Sequence, residues 1–147
     1  MTKCPTGNTA KCARRRGTEQ GPKIFKAASV ADRVTTVGQS FFDPLPAGAD
    51  LYLLKSVLTD WPDAQAVAIL KRCAEAARPA GRIVVLSGVS PDANTPPSPA
   101  LLMMVLAGGK DRILTESREL ANAAGLEVLA AKRQSTGRFV AECRPIG

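Results

Sequence analysis

Histidine is absent from the 147 residues of this chain. Its absence excludes catalytic triads that use histidine, zinc sites built from cysteine and histidine, and any imidazole general base. Aromatic residues make up only 4% of the chain although 45% of its residues are hydrophobic, so aliphatic side chains must form most of any core. The length corresponds to a single domain.

The chain also lacks the motifs that indicate a metal, a disulfide framework or a membrane. Its cysteines, Cys4, Cys12, Cys73 and Cys143, form no C-x-x-C pair, which favours reduced thiols and no metal site. The opening residues contain no apolar segment of the kind found in signal peptides. The longest apolar run, Ala100–Ala107, is too short to span a bilayer. We therefore expect a soluble, cytoplasmic protein without membrane contact.

Positive charge is concentrated near the N-terminus. Residues 1–33 contain eight basic and two acidic residues, and this excess accounts for most of the net charge of +7. Residues 1–23 show almost no hydrophobic periodicity, so we predict a basic, disordered tail ahead of a folded domain at 24–147. The short run Arg14–Arg16 is of a kind that is usually solvated, and specific nucleic-acid binding is not expected.

Hydrophobic patterning after the predicted tail indicates alternating strands and helices, which is typical of an α/β fold. Short helical segments are predicted at Phe25–Ala31 and Leu101–Leu106. A proline-rich loop at Pro91–Pro99 precedes the second of them. The predicted strands are Arg33–Val37, Ala49–Leu54, Arg82–Ser87, Leu126–Ala131 and Arg138–Glu142.

Two longer helices are predicted between these strands. The first begins at Asp60 or Asp63, and the second has Thr115 as its cap and ends before Gly125. The first helix is expected to bury one face, which is formed by Ala66, Ile69, Leu70, Cys73, Ala74 and Ala77.

Four segments carry a family resemblance: RVTTVGQSFFDPLP at Arg33–Pro46, DLYLLKSVLTDWPD at Asp50–Asp63, GRIVV at Gly81–Val85 and MMVLAGGKDR at Met103–Arg112. They resemble the catalytic domain of S-adenosylmethionine-dependent O-methyltransferases that act on small phenolic or polyketide-like molecules. The resemblance covers roughly residues 27–142. It implies a Rossmann-like class I methyltransferase sheet, mainly parallel with an antiparallel end, with the cofactor across the carboxyl ends of the strands.

The resemblance also implies that part of this sheet is missing. In the family, the first two strands lie between the strands that correspond here to Val34–Val37 and Ala49–Leu54. The residues before Val34 contain no Gly-x-Gly motif, so we expect a truncated catalytic domain that lacks those two strands. Val34–Val37 then either pairs directly with Ala49–Leu54 or stays unpaired. An exposed strand edge predicts self-association or a covering partner.

The same resemblance assigns four residues to the cofactor. The family's Gly-Gly-Asp-Phe pattern begins here at Gly38 and ends with Ser40 and Phe41, and a family lysine corresponds to Lys55. A flat apolar ring at Phe41 suits the π-face of adenine. The alternatives are that Phe41 is a core residue beside Phe42 and that Lys55 is a solvated surface residue.

The position of the catalytic base holds a residue that cannot act as one. In the family, a histidine before an Asp-Trp pair removes the acceptor proton, and an acidic residue orients that histidine. The corresponding residues are Thr59 and Ser87. A threonine hydroxyl does not accept a proton at neutral pH, which leaves Asp60 and Glu116 as candidates to assist. Alternatively, Asp60 caps a helix and Trp61 only packs against the core.

The resemblance therefore predicts methyl transfer from S-adenosylmethionine to a hydroxyl of a small aromatic or polyketide-like molecule, by a truncated and impaired enzyme. A methyltransferase completed by a second polypeptide is one alternative. A non-catalytic interaction module and a methyltransferase-derived pseudoenzyme are the others.

Overall fold

The computed structural model describes residues 2–4, 10–14, 34–86, 89–90, 108–135 and 139–147. Seven of the strands in this part of the chain form one sheet in the order β3-β2-β1-β4-β5-β9-β8, and β6 pairs with β7 separately. The strands are β1 Thr2–Cys4, β2 Ala10–Arg14, β3 Val34–Gly38, β4 Leu51–Lys55, β5 Arg82–Leu86, β6 Val89–Ser90, β7 Arg112–Ile113, β8 Leu126–Arg133 and β9 Phe139–Pro145.

Two α-helices in the described part of the chain pack against this sheet. Helix α1 spans Asp63–Ala77 and packs against β4, β5 and β9, whereas α2 spans Leu114–Ala123 and packs against β8. The helices also touch each other. A short 3₁₀ helix, Leu58–Asp60, lies between β4 and α1.

The central strands pair as the α/β pattern predicts. Strand β4 is parallel to β5, and β9 is antiparallel to both β5 and β8, which confirms a Rossmann-like sheet with an antiparallel end. Strand β2 is parallel to β3, but β1 is antiparallel to both of its neighbours. The sheet is therefore more mixed than predicted.

The N-terminal strands alter the expected arrangement. Strand β1 pairs with β4, and β2 lies between β1 and β3, so both occupy the two positions where the resemblance leaves a gap. The prediction that Val34–Val37 pairs with Ala49–Leu54 or stays unpaired is wrong, and the edge of β4 is covered. Within the predicted tail, the structure describes Thr2–Cys4 and Ala10–Arg14 as strands. Strand pairing uses backbone N–H and C=O groups, which hydrophobic periodicity does not report.

Helix α1 buries the predicted face completely. All six residues predicted for that face are buried, and Ile69 and Cys73 have no exposed surface. Helix α1 begins at Asp63 with Pro62 as its N-cap, so the alternative that Asp60 caps this helix is wrong. Burial raises the pKa of the Cys73 thiol and suppresses its ionisation.

Cys73 and Cys143 are both free and buried, in agreement with the prediction of reduced thiols for this pair. Burial raises the pKa of the Cys143 thiol to about 11. Both side chains therefore act as small apolar core residues.

Helix α2 begins one residue before the predicted cap. Its N-cap is Ile113, and Thr115 is an exposed residue inside the first turn, so the prediction of a Thr115 cap is wrong. The N–H of Ile113 donates to a carboxylate oxygen of Glu116 at 3.0 Å, which satisfies a backbone donor at the helix start. The helix ends before Gly125, which has a φ of +74°, as predicted for a glycine stop.

Tyr52 fastens the loop before β4 to the end of α1. Its hydroxyl lies 2.7 Å from the carbonyl oxygen of Pro46 and 2.8 Å from that of Ala76. It also accepts the N–H of Ala49 at 3.3 Å. The ring is 2% exposed, and burial raises the pKa of the phenol. The loop that follows the β3 segment is therefore anchored to the helix layer.

Several predictions fall outside the described residues: the helices at Phe25–Ala31 and Leu101–Leu106, the loop at Pro91–Pro99, and Ser87. In the described part of the chain, no helix is both long enough and apolar enough to cross a membrane. The same part contains no cluster of acidic or cysteine side chains that could hold a metal ion.

Candidate functional site

A cleft opens where β3 ends. Its volume is about 480 Å³, and its walls are residues 38–43 and Trp61. Three of the four residues predicted for the cofactor, Gly38, Ser40 and Phe41, therefore line one cavity. Lys55 is the exposed last residue of β4, and it does not line this cleft.

Aromatic rings form the apolar wall of the cleft. The rings of Phe42 and Trp61 meet edge to face, with centroids 5.0 Å apart and planes at 87°. Phe41, Phe42 and Trp61 all pack against the core and keep part of their surface exposed. Phe41 thus contacts the core and also lines the cavity.

Backbone hydrogen bonds hold the loop that carries these rings. The hydroxyl of Ser40 accepts the N–H of Phe42 at 3.2 Å, and the carbonyl of Ser40 accepts the N–H of Asp43 at 3.3 Å. From α1, Nε of Arg72 donates to the carbonyl oxygen of Phe42 at 2.8 Å. No sequence pattern distinguishes Arg72 from other basic residues on a helix surface, so this contact was not predicted.

Thr59 and Asp60, the candidate catalytic residues of the 3₁₀ helix, differ in exposure. Thr59 is buried with 8% of its surface exposed, whereas Asp60 is exposed. Trp61 follows directly and enters the cleft wall. The segment therefore connects the predicted catalytic residues with the predicted cofactor residues.

A buried arginine beside this segment was also missed by sequence analysis. Arg112 is 2% exposed, and Asp63 accepts from its Nε at 2.8 Å. Lys110 lies nearby and pairs with Asp63 at 3.3 Å and with Glu116 at 2.9 Å. The resemblance includes this stretch, but only the fold brings residue 112 next to residues 58–63.

Glu116 is held within this ion network. Lys110 and the N–H of Ile113 stabilise its carboxylate and lower its pKa below the ordinary value. The Arg112 guanidinium, followed by Lys110, lowers the pKa of Asp63 in the same way. A carboxylate with a lowered pKa is a weaker proton acceptor, which argues against Glu116 as a base.

We expect acid to weaken the ion network. Because both carboxyls have lowered pKa values in the folded state, their stabilising contribution is complete above the ordinary values of 3.8 for Asp63 and 4.5 for Glu116. It is lost as the pH falls through those values and then through the lower folded-state values. The Asp63→Asn variant should therefore lose less stability than the wild type between about pH 6 and about pH 3, measured by urea unfolding.

The matched control is Glu119→Gln, which removes an exposed carboxylate elsewhere on α2. Equal pH slopes for the wild type and Asp63→Asn would contradict this expectation.

Comparison with known proteins identifies the family. Residues 17–127 match the O-methyltransferase domain, and this match spans most of the chain. The chain belongs to the O-methyltransferase family. The family resemblance of the four motif segments is therefore confirmed.

Relatives include enzymes from Streptomyces species. One is the 2,7-dihydroxy-5-methyl-1-naphthoate 7-O-methyltransferase of Streptomyces carzinostaticus, 47% identical over 117 residues, or 76% of this chain and 35% of that protein. Another is the aclacinomycin 10-hydroxylase of Streptomyces purpurascens, 39% identical over 80% of this chain and 32% of that protein. The chain thus spans about a third of the length of these curated relatives.

Solved structures of O-methyltransferases share the fold. An O-methyltransferase from neocarzinostatin biosynthesis, crystallised with S-adenosylmethionine and 2-hydroxy-5-methyl naphthoic acid, is 40% identical with a TM-score of 0.82. The alignment covers 92% of this chain and 41% of that one. The class I methyltransferase architecture predicted for this chain is therefore confirmed.

Proposed function

We propose that this chain forms part of an S-adenosylmethionine-dependent O-methyltransferase and binds the adenosine part of the cofactor in the cleft after β3. One observation carries the proposal: Gly38, Ser40 and Phe41, assigned to the cofactor by family resemblance, line a single cleft of about 480 Å³ together with Trp61. A cavity of this size is typical of small-molecule sites. Family membership and the relative crystallised with the cofactor support the same assignment.

The residues of the cleft fit an adenosine group. The partly exposed rings of Phe41 and Trp61 provide an apolar surface for a purine, and the exposed Ser40 provides a polar group at the end of β3. A Gly-x-Gly cradle for the methionine part is absent from residues 1–33. When bound, S-adenosylmethionine supplies an electrophilic methyl group.

For the acceptor, we propose a hydroxyl on a small aromatic or polyketide-like molecule. The naphthoate 7-O-methyltransferase is 47% identical to this chain and supports an aromatic acceptor. Asp60 is the better of the two carboxylates that could assist removal of the acceptor proton, because it is exposed in the segment that carries Thr59 and Trp61. Glu116 is instead paired with Lys110 and bonded to the start of α2.

A second candidate function is cofactor binding without methyl transfer. Thr59 favours it, because the buried hydroxyl at the base position cannot remove a proton at neutral pH. The hydroxylase among the relatives also indicates that membership of the family does not by itself require methyl transfer. Both candidate functions use the same cleft, and they differ only in whether a methyl group is transferred.

We expect the Phe41→Ala variant to bind S-adenosylmethionine less tightly than the wild type. Stacking of a base on an aromatic ring contributes about 1–3 kcal/mol, which corresponds to a loss of roughly 5-fold to 150-fold in affinity. Isothermal titration calorimetry measures the affinity, and fluorescence of Trp61, the single tryptophan, provides a second signal from the cleft.

Phe139→Ala is the matched control for this experiment. It removes another partly buried phenylalanine, which packs against the core on β9 and is outside the cleft. We expect the control to bind with wild-type affinity. Equal losses in the two variants, or no binding by the wild type at millimolar cofactor, would contradict the proposed site.

A further inference from the structure

The segment from Leu58 to Asp63 carries Thr59, Asp60 and Trp61 between β4 and α1. Backbone carbonyls at the end of a helix need hydrogen-bond donors from beyond the helix. The carbonyl oxygen of Leu58 accepts the N–H of Trp61 at 3.3 Å, and further donors to this segment come from residues 110–112, about fifty positions away in the sequence.

Arg112 supplies most of these donors from a buried position. Its Nη1 donates to the carbonyl oxygen of Leu58 at 2.8 Å and its Nη2 to that of Trp61 at 2.7 Å. Its Nε donates to Asp63 at 2.8 Å, and Nη1 also reaches the carbonyl of Lys110 at 3.2 Å. One planar group therefore binds the segment at both of its ends and near its middle.

Lys110 adds two further connections. Its N–H donates to the carbonyl oxygen of Thr59 at 3.0 Å, and its ammonium group contacts Asp63 at 3.3 Å. Because the backbone of Lys110 also accepts from Arg112, the two residues hold the segment as one unit. The carbonyls of Leu58, Thr59 and Trp61 are thus all bonded.

The same residues connect the segment to the cleft. Trp61 is bonded to Arg112 through its carbonyl oxygen, while its ring packs edge to face on Phe42. Phe42 and Trp61 are both cleft residues. A change in the position of residues 58–63 would therefore move one wall of the cleft.

We propose that Arg112 is a positioning residue for the cofactor cleft: its bonds to Leu58, Trp61 and Asp63 set the position of the Trp61 ring. This inference rests on the proposed function, because it assumes that the cleft binds the cofactor. It assigns Arg112 no contact with the cofactor. Its effect passes through the backbone of Trp61.

Lysine is not equivalent to arginine at this position. A guanidinium presents five N–H donors in a rigid fork, whereas an ammonium group is a single point of charge on a flexible stem. Lysine at position 112 keeps the charge opposite Asp63 but cannot also reach the carbonyls of Leu58 and Trp61 with the same geometry. The Arg112→Lys variant therefore keeps the positive charge and removes the fixed geometry of the guanidinium N–H donors.

In the full chain, we expect Arg112→Lys to bind S-adenosylmethionine roughly tenfold more weakly, the loss that corresponds to about one charge-assisted hydrogen bond. Acrylamide is expected to quench the fluorescence of Trp61 more strongly in the variant than in the wild type, because the ring is held less firmly. Both measurements are made well below the unfolding transition of each protein. Unchanged affinity together with unchanged quenching would overturn the inference.

Two controls separate positioning from general loss of stability. Ile83→Val removes a methyl group from a fully buried side chain of β5, and it should leave affinity and quenching unchanged. Arg144→Lys alters an exposed arginine–carboxylate pair with Glu127, outside the cleft, and should also leave both unchanged. A tenfold loss of affinity in either control would overturn the assignment to Arg112.

A second variant keeps the test decisive if Arg112→Lys does not fold. Asp63 is half exposed, so we expect Asp63→Asn to preserve the fold while it weakens the bond to Nε of Arg112 and the contact with Lys110. It should change Trp61 quenching in the same direction by a smaller amount, and no change would overturn the inference. If the wild type does not bind the cofactor, the proposed function fails, while the quenching comparison still tests whether Arg112 positions Trp61.

Discussion

Replacing Gly81 with alanine is expected to lower the free energy of unfolding by about 3 kcal/mol, near the upper end for overpacked sites. A Cβ atom at this position would lie 2.6 Å from the carbonyl oxygen of Ala49 and 2.7 Å from that of Ala77. Both contacts are with backbone, so no side-chain rotation relieves them. The turn between α1 and β5 would have to shift, and the N–H of Gly81, which donates to Ala77, would shift with it.

Urea unfolding followed by circular dichroism measures this loss. Gly38→Ala is the matched control, because nothing lies within 4 Å of a Cβ built at Gly38. The control is expected to retain nearly all of the wild-type stability, since its backbone does not require a glycine. Similar unfolding midpoints for Gly81→Ala and the wild type would show that the turn tolerates a side chain.

Replacing Thr59 with histidine is expected to raise the rate of methyl transfer to an aromatic hydroxyl by roughly 10²-fold to 10⁴-fold, the usual contribution of a positioned general base. The family resemblance assigns its base to this position, and the backbone of Thr59 is already held by the N–H of Lys110 at 3.0 Å. Only the neutral imidazole accepts a proton. The rate should therefore rise with pH through the ordinary histidine value of about 6.5.

Thr59→Gln is the control for this experiment, because glutamine is polar and of similar size but does not titrate. Methyl transfer is measured with S-adenosylmethionine and a naphthol acceptor across the pH range. Equal rates for the histidine and glutamine variants, in protein that binds the cofactor, would show that the base is not the missing element. The limit on the rate would then lie outside the base position.

Local pattern was sufficient for the parts of the fold that depend on neighbouring residues. The buried face of α1 follows from helical spacing, because residues three and four apart share one side of a helix. The glycine stop at Gly125 also depends only on local backbone conformation. Motif order carried the family assignment, and it predicted a shared site for Gly38, Ser40 and Phe41, which line one cleft.

Other features depend on hydrogen bonds made by backbone groups. Helix α2 starts at Leu114 and not after the predicted Thr115 cap. The capping hydrogen bond joins the backbone N–H of Ile113 to the side chain of Glu116 and does not use the hydroxyl of Thr115. The pairing of β1 with β4 is set by open backbone hydrogen-bonding groups, which side-chain patterns do not encode.

The sequence by itself determined the family, the α/β class and the core face of α1, and it predicts that Thr59 stands where the family has its histidine. Tertiary structure alone decided that Arg112 forms hydrogen bonds with residues 58–63 and that Trp61 lines the cleft. The physical reason is the range of the interactions. Periodicity and motifs act over a few residues, whereas the hydrogen bond from Arg112 to Trp61 joins groups 51 positions apart, which meet only after the sheet and helices pack.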